Sequence, residues 1–259
     1  MYIMPDLKGA DEWLNRAEEH LAAFQEVSAP LIDSEIETMI SSFVPDPNPN
    51  PSDRPYKVPS LAWRPTQAQI PLRLSVLIGE FIQALRRSLD YLIYELARLD
   101  SGVEQHGTQF PIDDRKDVFW ARLAPNKKRS MPHLIGIDPK HAVVIERYQP
   151  YNGVDWTKAL KSISNPDKHR HLTIGNFKTS ERVGLPQHRT DQALTITRTR
   201  DGFTAIWNPD GRVQMQLHFS VFVAFEDETP IYQTLNQIKA EVRNVLEEFR
   251  PCFGGQCHH

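Results

Sequence analysis

Cysteine is almost absent from this chain: only Cys252 and Cys257 occur, both in the C-terminal tail beside Gly254-Gly255. A disulfide framework is therefore excluded as the device that holds the fold together. The two could bridge, but a cytosolic chain more often leaves such a pair reduced, so whether they pair stays open. Cys257-His258-His259 resembles a metal-binding tail but makes a weak site, and a disordered end is the preferred reading there. Long apolar runs are missing as well, since none approaches the roughly 18 residues of a bilayer-crossing helix. The N-terminus, Met1-Tyr-Ile-Met-Pro-Asp6, lacks a basic segment followed by an apolar one. Export by a signal peptide is not expected, and the chain reads as cytoplasmic. Also missing are G-x-x-x-x-G-K-[ST], G-x-G-x-x-G, H-E-x-x-H and G-x-S-x-G. No cofactor and no bound metal are expected on that ground.

What the chain does have is the make-up of a soluble globular protein. With 259 residues, 40% of them hydrophobic and 24% charged, it can bury one sizeable core. We read a single domain over 1–259: a helical body over 1–175, a β-meander over 190–226 and a C-terminal helix over 229–250. The net charge of −3 hides an asymmetry. Residues 6–40 carry nine acidic side chains against Lys8 and Arg16, whereas residues 156–200 carry nine basic ones against Asp167, Glu181 and Asp191. Such a split can mark a nucleic-acid face. No aromatic-rich basic groove accompanies the positive stretch, so mutual attraction within the fold or across a homodimer is the preferred reading. RNA and protein partners both stay open.

Periodicity places the elements. Trp13, Ala17, Leu21, Phe24, Leu31, Ile36, Met39, Ile40 and Phe43 give one long helix over Asp11–Phe43, which Pro30 should kink or split. Asp46 to Asp53 is a proline-rich loop, and Tyr56 to Val58 a short strand. Leu74, Leu77, Ile78, Phe81, Leu85, Leu89, Leu92, Ile93 and Leu96 form the stripe of a central helix over Pro71–Leu99. Asp113 or Asp114 can cap Asp117–Leu123, Asp138-Pro139 can start a helix ending near Tyr148, and Asp155 can cap the next. Asn126 to Ser130 is a basic loop. From residue 193 the pattern alternates, giving strands at Ala193–Thr199, Phe203–Trp207 and Val213–Phe225. Turn signals at Asp201-Gly202 and Pro209–Gly211 separate them. Thr229-Pro230 starts a final helix carrying Ile231, Leu235, Ile238, Val242, Val245, Leu246 and Phe249. The fold class is α+β.

The densest polar motif is Asn165-Pro-Asp-Lys-His-Arg-His171. Asn165 before Pro166 reads as an N-cap followed by proline at the first helical position. Asp167, Lys168, His169 and Arg170 then share one turn, suited to holding a phosphate or carboxylate. If the segment were extended, His169 and His171 could face one metal ion, but on a helix they point about 200° apart and would not share it. On the central helix, Arg86 and Asp90 lie one turn apart at the edge of the apolar stripe. A charge there needs a partner. The two can pair with each other and with the turn at 167–170. His20 lies beside the apolar face of the first helix, a position that suits a satisfied core histidine.

Gly79-Glu-Phe-Ile-Gln-Ala-Leu-Arg-Arg-Ser-Leu-Asp-Tyr-Leu92 followed by Asn165-Pro-Asp-Lys-His-Arg170 resembles a large family of uncharacterised bacterial proteins. That family shares a G-[DE]-x-x-x-x-L-R-S-A-L-D-H-L helix and a later N-x-D-K-H-R motif. Gln109-Phe-Pro-Ile112 and Gln149-Pro-Tyr151 also match its connecting pattern, so the resemblance runs from about His20 to Phe249. The Arg-x4-His spacing of that helix is similar to that of HEPN-like helical domains, many of them metal-independent ribonucleases. The resemblance implies a helical body and, if the chain is a ribonuclease of the HEPN-like kind, a toxin or defence role. Arg86 matches the arginine, but Tyr91 stands where the histidine would be.

Two functions follow. In a ribonuclease, His169 would serve as base or acid, while Arg86, Lys168 and Arg170 hold the phosphate. Tyr91, with an ordinary pKa of about 10, could donate a hydrogen bond but is a poor base. In a non-catalytic structural or interaction module, Asp90 or Asp167 would pair with Arg86 or Arg170 to fix a helix crossing. The departure at Tyr91 favours the second.

Overall fold

The structure, a computed structural model, describes residues 4–42, 70–123, 133–164, 174–186, 192, 194–208 and 214–255. It is α+β. In chain order come α1 (Lys8–Ser42), α2 (Leu72–Ser101), α3 (Lys116–Trp120), α4 (Pro139–Glu146), a 3-10 turn (Pro150–Asn152) and α5 (Asp155–Ser164). Strands β1 (Ile174–Gly184), β2 (Leu194–Arg198), β3 (Gly202–Trp207) and β4 (Met215–Phe225) follow, then α6 (Ile231–Phe253). Helix exceeds strand. The chain forms two compact units, each discontinuous in sequence. One gathers Met1–Phe24, Ser75–Leu172 and Gln233–His259, the other Gln25–Leu74 and Thr173–Tyr232. No helix among the described residues is long and apolar enough to cross a membrane.

The first unit is built on the stripes that the periodicity predicts. Eight stripe residues of α2, from Leu77 to Leu96, are buried in it, and so are six of α6, from Leu235 to Phe249. Each such side chain contributes about 1.5–3 kcal/mol by leaving water. The N-terminal half of α1 lies against α2: Ser88 Oγ donates to the Ala10 carbonyl at 2.8 Å, and the Arg87 guanidinium sits 4.4 Å from the Trp13 ring centre. At Gly9 the approach is so close that a Cβ would stand 2.7 Å from the Tyr91 ring. Acidic residues of α1 meet basic residues of α6. Glu18 pairs with Lys239 at 3.4 Å and with Arg243, and Asp11 with Arg250 at 2.8 Å. The negative segment is thus answered inside the fold, at least in part.

Pro30 does not split α1, which runs unbroken over its 35 residues. Proline removes one backbone donor, but buried anchors flank it: Phe24 before it, Ile36 and Met39 after it. Asp138 caps α4 as expected, accepting from the Lys140 N–H at 2.8 Å, with Pro139 next in line. The cap expected for α3 is not found. Its N-cap is Arg115, without a side-chain hydrogen bond, because Asp113 is engaged by Arg122 and Asp114 by Lys161. Asp155 lies within the first turn of α5 and not ahead of it.

In the second unit one antiparallel sheet has the order β1-β4-β3-β2. The three strands expected between 193 and 225 are present as a meander, and β1 adds a fourth on the outer side of β4. Nothing in the alternation marks β1. Along its described inward parity come Phe177, Thr179, Glu181 and Val183, of which only Phe177 is buried. An edge strand of this kind carries no two-residue hydrophobic period. The buried face holds Phe203, Ala205, Trp207, Leu217, Phe219, Val221 and Val223, with Phe203 stacked on Phe219 at 4.9 Å. Ile36 and Met39 of α1 are fully buried in the same unit, and Arg198 on β2 pairs with Asp33 at 2.8 Å and with Glu37. Here too a basic segment meets an acidic one. At the β2–β3 turn, Thr199 N–H donates to the Gly202 carbonyl at 2.9 Å. A Cβ on Gly202 would lie 1.8 Å from the Phe219 carbonyl oxygen, so only glycine fits there. The loop 46–53, the strand 56–58, the basic loop 126–130 and the turn 209–211 lie outside the described residues.

Candidate functional site

Helix α2 brings Arg86 and Asp90 onto one face, and both reach the same residue. Asp90 Oδ1 accepts the Phe110 N–H at 2.9 Å, and Arg86 Nη2 donates to the Phe110 carbonyl at 3.1 Å. The two side chains lie 3.9 Å apart, with 21% and 30% of their surfaces exposed. Phe110 itself is fully buried. Its peptide groups would be orphaned in the core without such partners. An i,i+4 charge pair therefore does for Phe110 what a neighbouring strand would do, since it supplies one acceptor and one donor. Burial pushes the Arg86 guanidinium below its ordinary value, and the Asp90 carboxylate opposes that. Burial pushes Asp90 upward, opposed by Arg86 and by the Phe110 N–H.

The residues after Phe110 are held in a similar way. Gln149 has no exposed surface; its Oε1 accepts the Asp113 N–H at 2.9 Å, and its Nε2 donates to the Pro111 carbonyl at 3.0 Å and to Ile145 at 3.2 Å. The Asp113 side chain meets Arg122 through two hydrogen bonds, 2.9 and 3.2 Å long. Gln109 N–H donates to the His133 carbonyl at 3.1 Å. Segment 109–113 is thus fixed from α2 on one side and from Gln149 on the other. His133 is half-buried beside this network. Burial lowers its imidazole first, and Arg122 and Arg86 lower it further, while Asp113 opposes them.

Next to the clamp a cleft of about 490 Å³ is lined by Asp90, Tyr91, Tyr94 and the loop Glu104–Thr108. Tyr91 is 43% exposed. Tyr94 Oη donates to Glu104 at 2.8 Å, and that bond raises the phenol above its ordinary value. Arg98 stands 5.6 Å from the Tyr94 ring centre. Two carboxylates face the cleft, and no lysine or arginine is among its described lining residues.

Of the expected site residues, the structure brings together Arg86 and Asp90, with Tyr91 adjacent on the cleft wall. His20 is elsewhere: its Nδ1 lies 3.3 Å from Glu80 Oε2, a link between α1 and α2. Asn165, Asp167, Lys168, His169 and Arg170 lie outside the described residues, as does His171. The partner found for Arg86 and Asp90 among the described residues is a main-chain unit. Sequence reasoning missed His106, His133 and the role of Gln149. His106 and His133 carry no motif, whereas Gln149 belongs to the connecting pattern already noted. Comparison with family models, curated proteins and solved structures gives no match for this chain.

Proposed function

We propose that the chain is a non-catalytic helical interaction module of the cytoplasm, in which Arg86 and Asp90 are structural and the adjacent cleft receives a protein partner. The observation that carries this reading is that Arg86, the residue a nuclease would use on phosphate, is committed to the Phe110 carbonyl and to Asp90. Asp90 and Glu104 would repel a phosphate chain at the cleft, whereas tyrosine faces with nearby carboxylates attract a lysine or arginine side chain. Arg98 beside Tyr94 is an example of that pairing within the chain. Titration with a lysine- and arginine-rich peptide, followed through the Tyr91 and Tyr94 ring resonances, tests the reading. Shifts are expected with the basic peptide, reduced in Glu104→Gln. Equal shifts with an acidic peptide of the same length, or none with either, would contradict it.

A second reading, a HEPN-like metal-independent ribonuclease of a bacterial toxin or defence system, is favoured by His133, a neutral-leaning imidazole near Arg86 and Arg122. Acid–base groups of this type contribute about 10²–10⁴-fold to rate. Cleavage of RNA in chelator to 2′,3′-cyclic phosphate ends, abolished in folded Arg86→Ala and His169→Ala, would support that reading. Intact RNA would remove it.

A further inference from the structure

In the second unit β1 is an edge: it pairs with β4 on one side, and no described strand lies on the other. Its register is irregular between Ile174 and Phe177 and unbroken from Phe177 to Gly184. One hydrogen bond tells which peptide groups this edge offers. On β4 the Val221 N–H donates to the Asp201 carbonyl at 2.7 Å, on the side of β3. Peptide groups alternate sides along a strand, so Gln216, His218, Ser220 and Phe222 turn theirs to β1. Their partners Gly184, Arg182, Ser180 and Lys178 are thereby satisfied. Thr179, Glu181 and Val183 turn their peptide groups to the free edge. Residues 180–185 are all exposed, Val183 to 61% and Leu185, just past the end of the strand, to 87%. Leu217, the residue opposite Val183 on β4, is fully buried.

We infer that the free edge of β1 is a strand-addition site whose occupant is an extended segment of another protein. That segment carries aliphatic residues opposite Thr179 and Val183, a basic residue opposite Glu181 and a carboxylate opposite Arg182. A long unpaired edge is a template for another chain unless proline, a bulge or charge blunts it. The irregularity of β1 lies before Phe177 and Pro186 follows the ladder, so neither interrupts the exposed half. The charges decide between partners. When two copies pair antiparallel, a register centred on Ser180 sets Lys178 against Arg182. One centred on Glu181 sets that carboxylate against its own copy, and one centred on Arg182 does the same with two guanidinium groups. Like charges directly opposed destabilise a strand pair, which selects against a second copy. A basic residue beside Glu181 and a carboxylate beside Arg182 turn the same two charges into favourable cross-strand pairs. No described residue forms an ion pair with either. Val183, on the face of Glu181, adds apolar surface that leaves water when the new strand arrives.

The isotope-labelled full chain is titrated with the end-blocked peptide Thr-Val-Glu-Lys-Thr-Val-Thr and followed by NMR. A control peptide has its glutamate and lysine exchanged. With the first peptide at about ten times its Kd, the amides of Thr179, Glu181 and Val183 should exchange about ten-fold more slowly. Those of Ser180 and Arg182, already bonded to β4, should change little. The control should bind at least about five-fold more weakly, and Glu181→Lys, an exposed substitution, should abolish that preference. Slow exchange at Thr179, Glu181 and Val183 before any peptide is added would mean an edge already covered and would overturn the inference. So would equal binding of the two peptides, binding of neither, or a preference kept in Glu181→Lys. A concentration-dependent dimer that protects the same three amides would overturn it in favour of a second copy.

Discussion

Arg86 and Asp90, one turn apart on α2, grip opposite ends of a single residue: Asp90 takes the N–H of Phe110 and Arg86 its carbonyl. The pair is shaped by what the main chain of a buried phenylalanine needs, which is why both charges stand at the edge of an apolar stripe.

Removing one jaw should be costly. Arg86→Ala leaves the Phe110 carbonyl without its donor and Asp90 without its counter-charge. A buried polar group left unsatisfied costs about 1–3 kcal/mol. Urea unfolding should show a loss of that size with an unchanged m-value, and an unaltered midpoint would remove the clamp from the stability account.

Asp90 should also leave a mark on the pH dependence. Its folded-state pKa lies above the ordinary 3.8, because burial disfavours the carboxylate. The folded state then holds its proton more tightly than the unfolded state does. The resulting stability is complete below the unfolded pKa and is lost as pH rises through the folded one. Relative to Asp90→Asn, which does not titrate, the wild type should lose stability from about pH 4 upward. Parallel curves for the two proteins would contradict this.

Gln149 carries three hydrogen bonds to buried main chain, so Gln149→Leu keeps much of the volume and strips all of them. The Pro111 carbonyl and the Asp113 N–H lose their partner, while the Ile145 carbonyl keeps the Tyr148 N–H, and a loss of about 2 kcal/mol is expected in the same unfolding experiment.

Gly202→Ala probes the sheet. The new methyl would meet the Phe219 carbonyl oxygen, a backbone atom that cannot turn aside. Overpacking of this kind costs about 1–3 kcal/mol, and the loss should appear as weakened amide protection across the β3–β4 pairing.

How much of this was legible in the sequence differs from element to element. The stripes of α2 and α6 were readable residue by residue, because burial on one helical face leaves a 3.6-residue period. The meander was readable from Leu217, Phe219, Val221 and Val223 on β4, with Asp201-Gly202 as its turn. Strand β1 was not, since a strand in which Phe177 alone is buried among the described residues writes no pattern. At the site, the need of Arg86 and Asp90 for partners was readable from their place beside the stripe. The partner was not, because the atoms they hold are peptide groups, and every residue has those. The position of His133 near Arg122 and Arg86 depends on a chain path that no local pattern encodes.

The most direct measurement of the central claim is amide hydrogen exchange at Phe110 in the wild type and in Asp90→Ala. If Asp90 is the acceptor that keeps this N–H in place, the wild-type amide should exchange slowly, and the variant should exchange at least about ten-fold faster at Phe110, while amides in the middle of α6 change little. Equal exchange at Phe110 in both proteins would contradict the clamp and return Arg86 and Asp90 to the list of residues free for chemistry.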